Sequence, residues 1–405
     1  MKNLQLDKLL YLVSRATGLV AKPVIILLMM QYSTTAKAYE ISQIFFIVSA
    51  IFVVHNNEAY KKFYEIKFKD NKSDGYKEKV EYCKYLEQSI VHWLLFSVVT
   101  FVFSYVVFHL SLINSACIML LTIVEKIWDE MQRYALYSSN YIRWSILFLY
   151  KTTALIVAVS IYYQNEDLSF GFLYVITYII ASILAGAAFI TGSTELLRLF
   201  NIKRFEIAIE EYKKNYIVNY LSAQVGAFVS VNIGVVDKWI MQILLVDKLT
   251  FVGVTLLSQI GGVFIVVIDN LFMAFDRDKY IRSNELKDVI SFRNVVFVAI
   301  FFIMAIYLFL YEWNPFGVDL NLSIDVVISV LLIYVFMGLT RIPAEYVFWR
   351  VPRYRLTIID AASLVTMFSS GVILYIYGGV LWMYMGMFLV IFIRASMYFI
   401  ISTRV

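Results

Sequence analysis

Charge, cysteine and histidine are all scarce in this sequence, and each scarcity excludes something. Only 16% of the 405 residues are charged and 61% are apolar, whereas a soluble globular chain carries about 25% charged residues. A water-soluble enzyme would need a charged shell that this composition cannot supply. The two cysteines, Cys83 in a lysine-rich stretch and Cys117 inside an apolar run, belong at different depths, so no disulfide is expected. The three histidines, His55, His92 and His109, are dispersed along the chain, which argues against a His/Cys metal site or an attached haem. No Walker A sequence occurs and no stretch could form a soluble nucleotide-binding domain, so direct ATP-driven work is excluded. No Ser/His/Asp or paired-carboxylate pattern points to catalysis. No cofactor and no nucleic-acid partner is expected.

Long apolar runs fill the space. At about 20 residues per span, the chain holds roughly a dozen transmembrane helices and little else. Twelve segments can be marked: 9–31, 39–56, 89–110, 112–130, 143–163, 169–190, 216–236, 248–274, 291–311, 323–341, 355–377 and 379–400. The first is expected to be a retained span, because its apolar run is long and no small-residue cleavage site follows it. With the N-terminus inside, 28 of the 35 lysines and arginines fall in cytoplasmic segments, including eight lysines from Lys61 to Lys84. Only Lys37, Lys238 and Lys248 fall outside, and Arg15, Lys22, Lys151 and Arg394 fall within spans. That asymmetry is the positive-inside signature and places both termini in the cytoplasm. The seven tryptophans lie near span ends, as an interfacial aromatic belt requires. Residues 58–88 and 194–214 mix charge with Tyr, Phe and Leu at helical spacing and read as amphipathic helices on the inner surface.

The chain also repeats itself faintly. Ser14 and Gly18 in the first span match Ser222 and Gly226 in the seventh, and Ser42-Gln43-Ile44 matches Ser258-Gln259-Ile260. Each of the latter two motifs then meets a Val-Val pair followed shortly by an asparagine, Asn56 or Asn270. The order predicts two six-span halves, residues 1–200 and 216–405, joined by a cytoplasmic linker at 201–215. The repeat is parallel, with its axis along the membrane normal.

Ionisable residues at membrane depth cost roughly 2.5–3.5 kcal/mol each on insertion scales and are functional candidates for that reason. Arg15 and Lys22 lie two helical turns apart and share a face with Ser14 and Gly18. Pro23 follows directly and frees a backbone carbonyl. A basic first helix facing a water-filled cavity accounts for these features. Lys151 and Arg394 lie about two turns from the inner ends of their spans and could line the same cavity or snorkel to the interface. Asp269 and Asp360 are embedded acids that could pair with these cations or bind a coupling proton or sodium ion. Glu125, Lys126, Asp129, Glu130 and Arg133 end the fourth span, while Arg341, Glu345, Arg350, Arg353 and Arg355 end the tenth. Glu130, Arg133, Arg341, Glu345 and Arg353 are the candidate cytoplasmic gate, against a simple solvated charged face. Four embedded cations against two acids favour an anionic substrate.

Ser14-Arg15-x-x-Gly18 resembles the opening of the multidrug/oligosaccharidyl-lipid/polysaccharide exporters. Asp237-Lys238-Trp239-Ile240, followed by Gly253, is similar to their Asp-Arg-hydrophobic stretch after the seventh span. Val254-Thr255 stands where that family has tyrosine, and Ala36-Lys37-Ala38-Tyr39-Glu40 replaces its first glycine-rich turn. Within the superfamily the chain looks like a Wzx-type O-antigen or polysaccharide-unit flippase.

The resemblance implies an all-α, V-shaped bundle of about twelve helices in the bacterial inner membrane. It would move undecaprenyl-pyrophosphate-linked oligosaccharides from the cytoplasmic to the periplasmic leaflet by alternating access, as a monomer. Protons, sodium ions or the membrane potential would drive it. Its partners would be membrane lipids and the polymerase and chain-length regulator of the same pathway. Arg15 matches the arginine that lines a cationic central cavity in the related lipid II flippases, and Lys22 is one position displaced from their second. The expected substrate set is Arg15, Lys22, Ser14, Lys151 and Arg394, with Asp269 and Asp360 as coupling or structural acids. Two other readings remain: a cation-coupled drug exporter of the same superfamily, and a polytopic polysaccharide polymerase.

Overall fold

A computed structural model describes residues 2–52, 55, 75–137, 141–165, 167–199, 202–215, 221–268, 292–307, 309, 314, 317, 320, 322–348 and 350–404. A bilayer offers backbone groups no water to bond, so apolar runs of this length must satisfy themselves as helices. The described elements are α1 (Lys2–Tyr32), α2 (Thr35–Phe52), α3 (Gly75–Val106), α4 (Leu112–Tyr137), α5 (Tyr141–Gln164), α6 (Phe170–Leu199) and α7 (Ile202–Asn215). They continue with α8 (Leu221–Asn232), a 3-10 turn (Ile233–Val235), α9 (Val236–Ile243), α10 (Lys248–Ile268), α11 (Phe292–Tyr307), α12 (Ile324–Phe348) and α13 (Arg353–Ser402). Each of the twelve marked apolar segments has its helix. The eleventh and twelfth share α13, which turns at Gly379 with φ 72° and ψ −158°, a conformation that a residue with a Cβ rarely adopts.

Five of the helices begin with the same device. The side chains of Thr34, Ser111, Ser169, Asp247 and Ser323 accept the backbone N–H of Lys37, Asn114, Phe172, Thr250 and Val326, at 2.9–3.4 Å. Each is an N-cap that satisfies an orphan donor where the chain turns back into the apolar phase. Five helical stretches are long and apolar enough to cross a bilayer: Lys84–Val106, Ser145–Gln164, Lys248–Ile265, Ile324–Phe348 and Tyr354–Ser402. Ala16–Tyr32 and Phe170–Ala185 are shorter apolar helices. The protein is a multi-pass, all-α membrane protein.

The chain forms two compact units. The first comprises Met1–Gly18 and Ile47–Phe228, and the second Leu19–Phe46 and Val229–Val405. In the first, α4 packs against α3, α5 and α6. Trp128 of α4 is fully buried and donates its indole N–H to Ser182 Oγ of α6 at 2.7 Å. Trp128 is therefore a packing residue and not part of an interfacial belt. Helix α7 docks on α3 through buried Ala208 and Tyr212, with Gln88 donating to Glu211 at 3.0 Å. Ala208 and Tyr212 are spent on protein contact, while Ile207 of the same helix is exposed. The expected surface helix over 58–88 is corrected in part: from Gly75 onward the chain is one helix continuous with the third span. Residues 58–74 lie outside the described residues.

In the second unit α12 packs between α10 and α13. Phe264, Ile268, Ala299, Val335, Ile342 and Tyr346 form one apolar core there. The start of α2 is fastened to this unit by edge-on ring contacts of Tyr39 with Phe251 and Phe46 with Trp239, and by Gln242 donating to the Tyr39 hydroxyl at 2.9 Å.

Adjacent glycines in α10 make a sharp test of this packing. A Cβ on Gly261 would lie 2.3 Å from Cγ of Tyr334, whereas one on Gly262 meets nothing within 4 Å. Gly261→Ala should lose about 1–3 kcal/mol through overpacking. Gly262→Ala should be neutral or gain up to about 1 kcal/mol in helix propensity. Unfolding midpoints of the two purified variants check this, and equal behaviour would contradict the close α10–α12 approach.

Candidate functional site

Charges removed from water need a partner of opposite sign held in good geometry, and three such pairs among the described residues also gather tyrosines. In the first unit Lys151 of α5 donates to Glu125 of α4, with both side chains largely buried. The hydroxyls of Tyr174 and Tyr178 on α6 interact with the same carboxylate, and Tyr174 donates to Tyr178 at 3.0 Å. Three helices thus meet around one neutralised acid.

The second unit carries the most completely buried cluster. At the start of α9, Lys238 Nζ bonds both carboxylate oxygens of Asp237, at 2.9 and 3.0 Å, and donates to Tyr334 Oη of α12 at 3.0 Å. Tyr384 of α13 donates to Asp237 Oδ2 at 2.8 Å. Tyr334 in turn donates to the Gly234 carbonyl at 2.8 Å. That carbonyl lies in the 3-10 turn separating α8 from α9. The Lys238 and Asp237 side chains are 2% and 4% exposed, so the cluster is closed and neutral. Placing Lys238 in a solvated outer loop is thereby corrected. A helix interruption beside the hydrophobic run, invisible to hydropathy, turns two charged neighbours inward together.

The third pair clasps the two arms of α13. Arg394 Nε donates to Asp360 Oδ1 at 2.8 Å, Tyr398 donates to the same oxygen at 2.9 Å, and all three are buried. Asp360 is thus paired with Arg394. Ser14 is 2% exposed, and its hydroxyl donates to the Leu10 and Tyr11 carbonyls of its own helix. Lys22 is half-buried with Nζ 5.2 Å from the Phe45 ring centroid.

Arg15, Arg133 and Arg353 lie on α1, α4 and α13, but their side chains, like the whole of Asp269, are outside the described residues. Glu130 accepts from Tyr85 at 2.7 Å, Arg341 is exposed, and Glu345 follows one turn later on α12. Among the described residues, no three His, Cys, Asp or Glu side chains gather as a metal site would require. Sequence reasoning missed the tyrosines of all three clusters. The signal was one of thirty tyrosines recurring inside apolar spans, where a hydroxyl needs a partner.

This arrangement of helices is shared with solved structures of a lipid II flippase and a MATE protein. The chain aligns along 98% of its length with the structure of the lipid II flippase MurJ in an inward closed conformation, covering 88% of that chain with TM-score 0.57 and 14% identity. It aligns along 99% of its length with a MATE structure in complex with Br-NRF, covering 94% of that chain with TM-score 0.53 and 9% identity. No protein-family model and no curated protein sequence matches the chain.

Lys238 supplies a direct test of the buried cluster. Lys238→Met strands the Asp237 carboxylate and should destabilise the protein by about 3–5 kcal/mol. The double variant Asp237→Leu/Lys238→Met should recover most of that loss. Denaturant unfolding of both checks it; a double variant no better than the single one would mean that the pair is not the unit of stability.

Proposed function

We propose that the protein is a flippase for lipid-linked oligosaccharides, moving undecaprenyl-pyrophosphate-linked sugar repeat units from the cytoplasmic to the periplasmic leaflet by alternating access. The fold shared with a lipid II flippase supports it, but that fold is shared with a MATE structure as well, so the chemistry must choose. The observation that carries the choice is that three of the described embedded acids, Glu125, Asp237 and Asp360, are each bound to a base; Asp269 lies outside the described residues. A cation-coupled drug exporter needs an acid available to a cation. In contrast, α1 carries Arg15 and Lys22 and no acid between Leu9 and Tyr32. A pyrophosphate would partition to that basic face, since charge-assisted bonds to phosphate are among the strongest available at low dielectric. The sugars would follow through a polar path while the polyprenyl tail stays in the bilayer.

Lys151 and Arg394, being paired, would act on substrate by exchanging partners. Glu130 and Arg133 in the first half and Arg341, Glu345 and Arg353 in the second are the proposed cytoplasmic gate. The protein would work in the bacterial inner membrane with both termini in the cytoplasm, alongside the polymerase that consumes the flipped unit.

Lipid analysis of a deletion strain tests the reading. Pyrophosphate-linked oligosaccharide should accumulate on the inner leaflet and clear when the gene is restored. An unchanged lipid pool with intact surface polysaccharide, in a host lacking a second flippase, would overturn the proposal in favour of drug export. Arg15→Ala should cut export by about tenfold or more, the equivalent of one charged hydrogen bond of roughly 1.5–3 kcal/mol, at unchanged membrane level. Normal export by a well-expressed variant would remove Arg15 from the substrate path.

A further inference from the structure

Several buried polar side chains have atoms without a hydrogen bond among the described residues, and His55 is the one with two such atoms. His55, just past the inner end of α2, is 1% exposed, and neither ring nitrogen makes a hydrogen bond among the described residues. The backbone of Phe52, one turn back, lies near the ring without meeting hydrogen-bond geometry. Native proteins leave few buried polar groups unsatisfied, and an imidazole left so has two open positions for protons.

Its surroundings oppose and favour a proton at once. The described ionisable groups whose charges reach it are Lys126 of α4 and His92 of α3. Lys126 is 3% exposed, with Nζ 4.1 Å from the centroid of the Phe52 ring and 3.4 Å from Asp129. His92 is fully buried, its Nδ1 2.6 Å from the Tyr212 hydroxyl of α7. The carbonyl end of α2 favours positive charge there, whereas the ammonium of Lys126 and the absence of water disfavour it. The same Phe52–Lys126 contact ties α2 to α4, so a second cation at His55 would push against the group that holds that contact.

We propose that His55 is a proton-binding site that controls the contact between α2 and α4: the neutral ring lets Phe52 rest on Lys126, and the protonated ring releases it. Proton uptake at this end of the first unit is then coupled to loosening of the inner end of α2. The proton site stands independently of the cargo, and its link to transport rests on the flippase reading above.

The test uses the full-length protein in lipid nanodiscs, labelled with 15N-histidine. The chain has only three imidazoles to resolve, and the His55 signal is assigned by its loss in His55→Gln. On going from about pH 8 to about pH 3, the His55 signal should pass from neutral to protonated, below the ordinary histidine range because burial and the Lys126 charge disfavour the cation. Amide exchange over residues 47–55, corrected for intrinsic pH effects, should rise about tenfold in step with it. His55→Gln should abolish the pH dependence. Lys126→Met should move the His55 titration to higher pH by about half a unit or more, because a neighbouring like charge has gone.

A His55 signal that stays neutral throughout, or an exchange response that persists unchanged in His55→Gln, would overturn the proposal. Should His55→Gln not insert, the wild-type titration and its shift in Lys126→Met still decide. In proteoliposomes with lipid-linked oligosaccharide, His55→Gln should lose the dependence of flipping on a pH gradient. Wild-type vesicles that flip nothing would refute the flippase reading, while the titration and exchange results would still judge the proton site.

Discussion

Local neutralisation of charge in a low-dielectric bundle is the constraint on which the rest of this structure turns. An isolated buried ion costs several kcal/mol even after relaxation, so each embedded acid has to be brought to a base by helix packing. Glu125 and Lys151 draw α4 to α5, Asp360 and Arg394 close the arms of α13, and Asp237 and Lys238 sit on one helix but recruit α12 and α13 through tyrosines. A carboxylate has more lone pairs than one ammonium fills, and the tyrosine hydroxyls occupy what remains. Each cluster therefore fixes three or more groups at once. Fully satisfied polar networks specify an arrangement that apolar packing alone leaves adjustable.

The membrane architecture was legible because it follows from composition. Apolar runs of span length have one stable backbone, and the hydroxyl or carboxylate ahead of α2, α4, α6, α10 and α12 marks where each must begin. The turn between the last two spans fell at Gly379 for an equally local reason. What failed was depth. Lys238 reads as a loop residue by its neighbours in sequence, yet the 3-10 turn at Ile233–Val235 rotates it inward. Trp128 reads as a belt residue because charges flank it, but α4 continues to Tyr137 and carries it into the packed interior. In both cases the deciding contact is with a residue at least fifty positions away, Tyr334 or Ser182, and no window along the chain contains it.

The same limits explain what the fold says about transport. Helices held by neutral clusters can serve a cationic or an anionic cargo, and the MATE and MurJ structures that align with this chain carry different names on one architecture. Under the proposed function, discrimination therefore falls to the charged residues carried by the helices of the substrate path. Pairing removes acids and bases in equal number, so it does not alter the net sign of the embedded groups. On α1 itself, Arg15 and Lys22 are the charged residues between Leu9 and Tyr32. An anionic headgroup is attracted by such a bias, whereas a cationic drug would be repelled by it.

His55 departs from this economy. Every cluster above offers each buried charge a counter-charge and each hydroxyl an acceptor, whereas this ring is given a cation for a neighbour and no bond. A core position that only needed filling would be served better by leucine or phenylalanine, which carry no polar atoms to desolvate. An imidazole contributes something there only if its environment changes during the working cycle, so that the cost carried in one state is recovered in another. A transporter that admits water alternately to its two faces supplies such a change. On the proposed orientation this end of α2 would meet cytoplasmic water, and Lys126 and His92 would feel the added charge directly. A group that is badly solvated in the closed state and well solvated in the open one shifts the balance toward opening when it takes up a proton, by the difference in affinity between the two states.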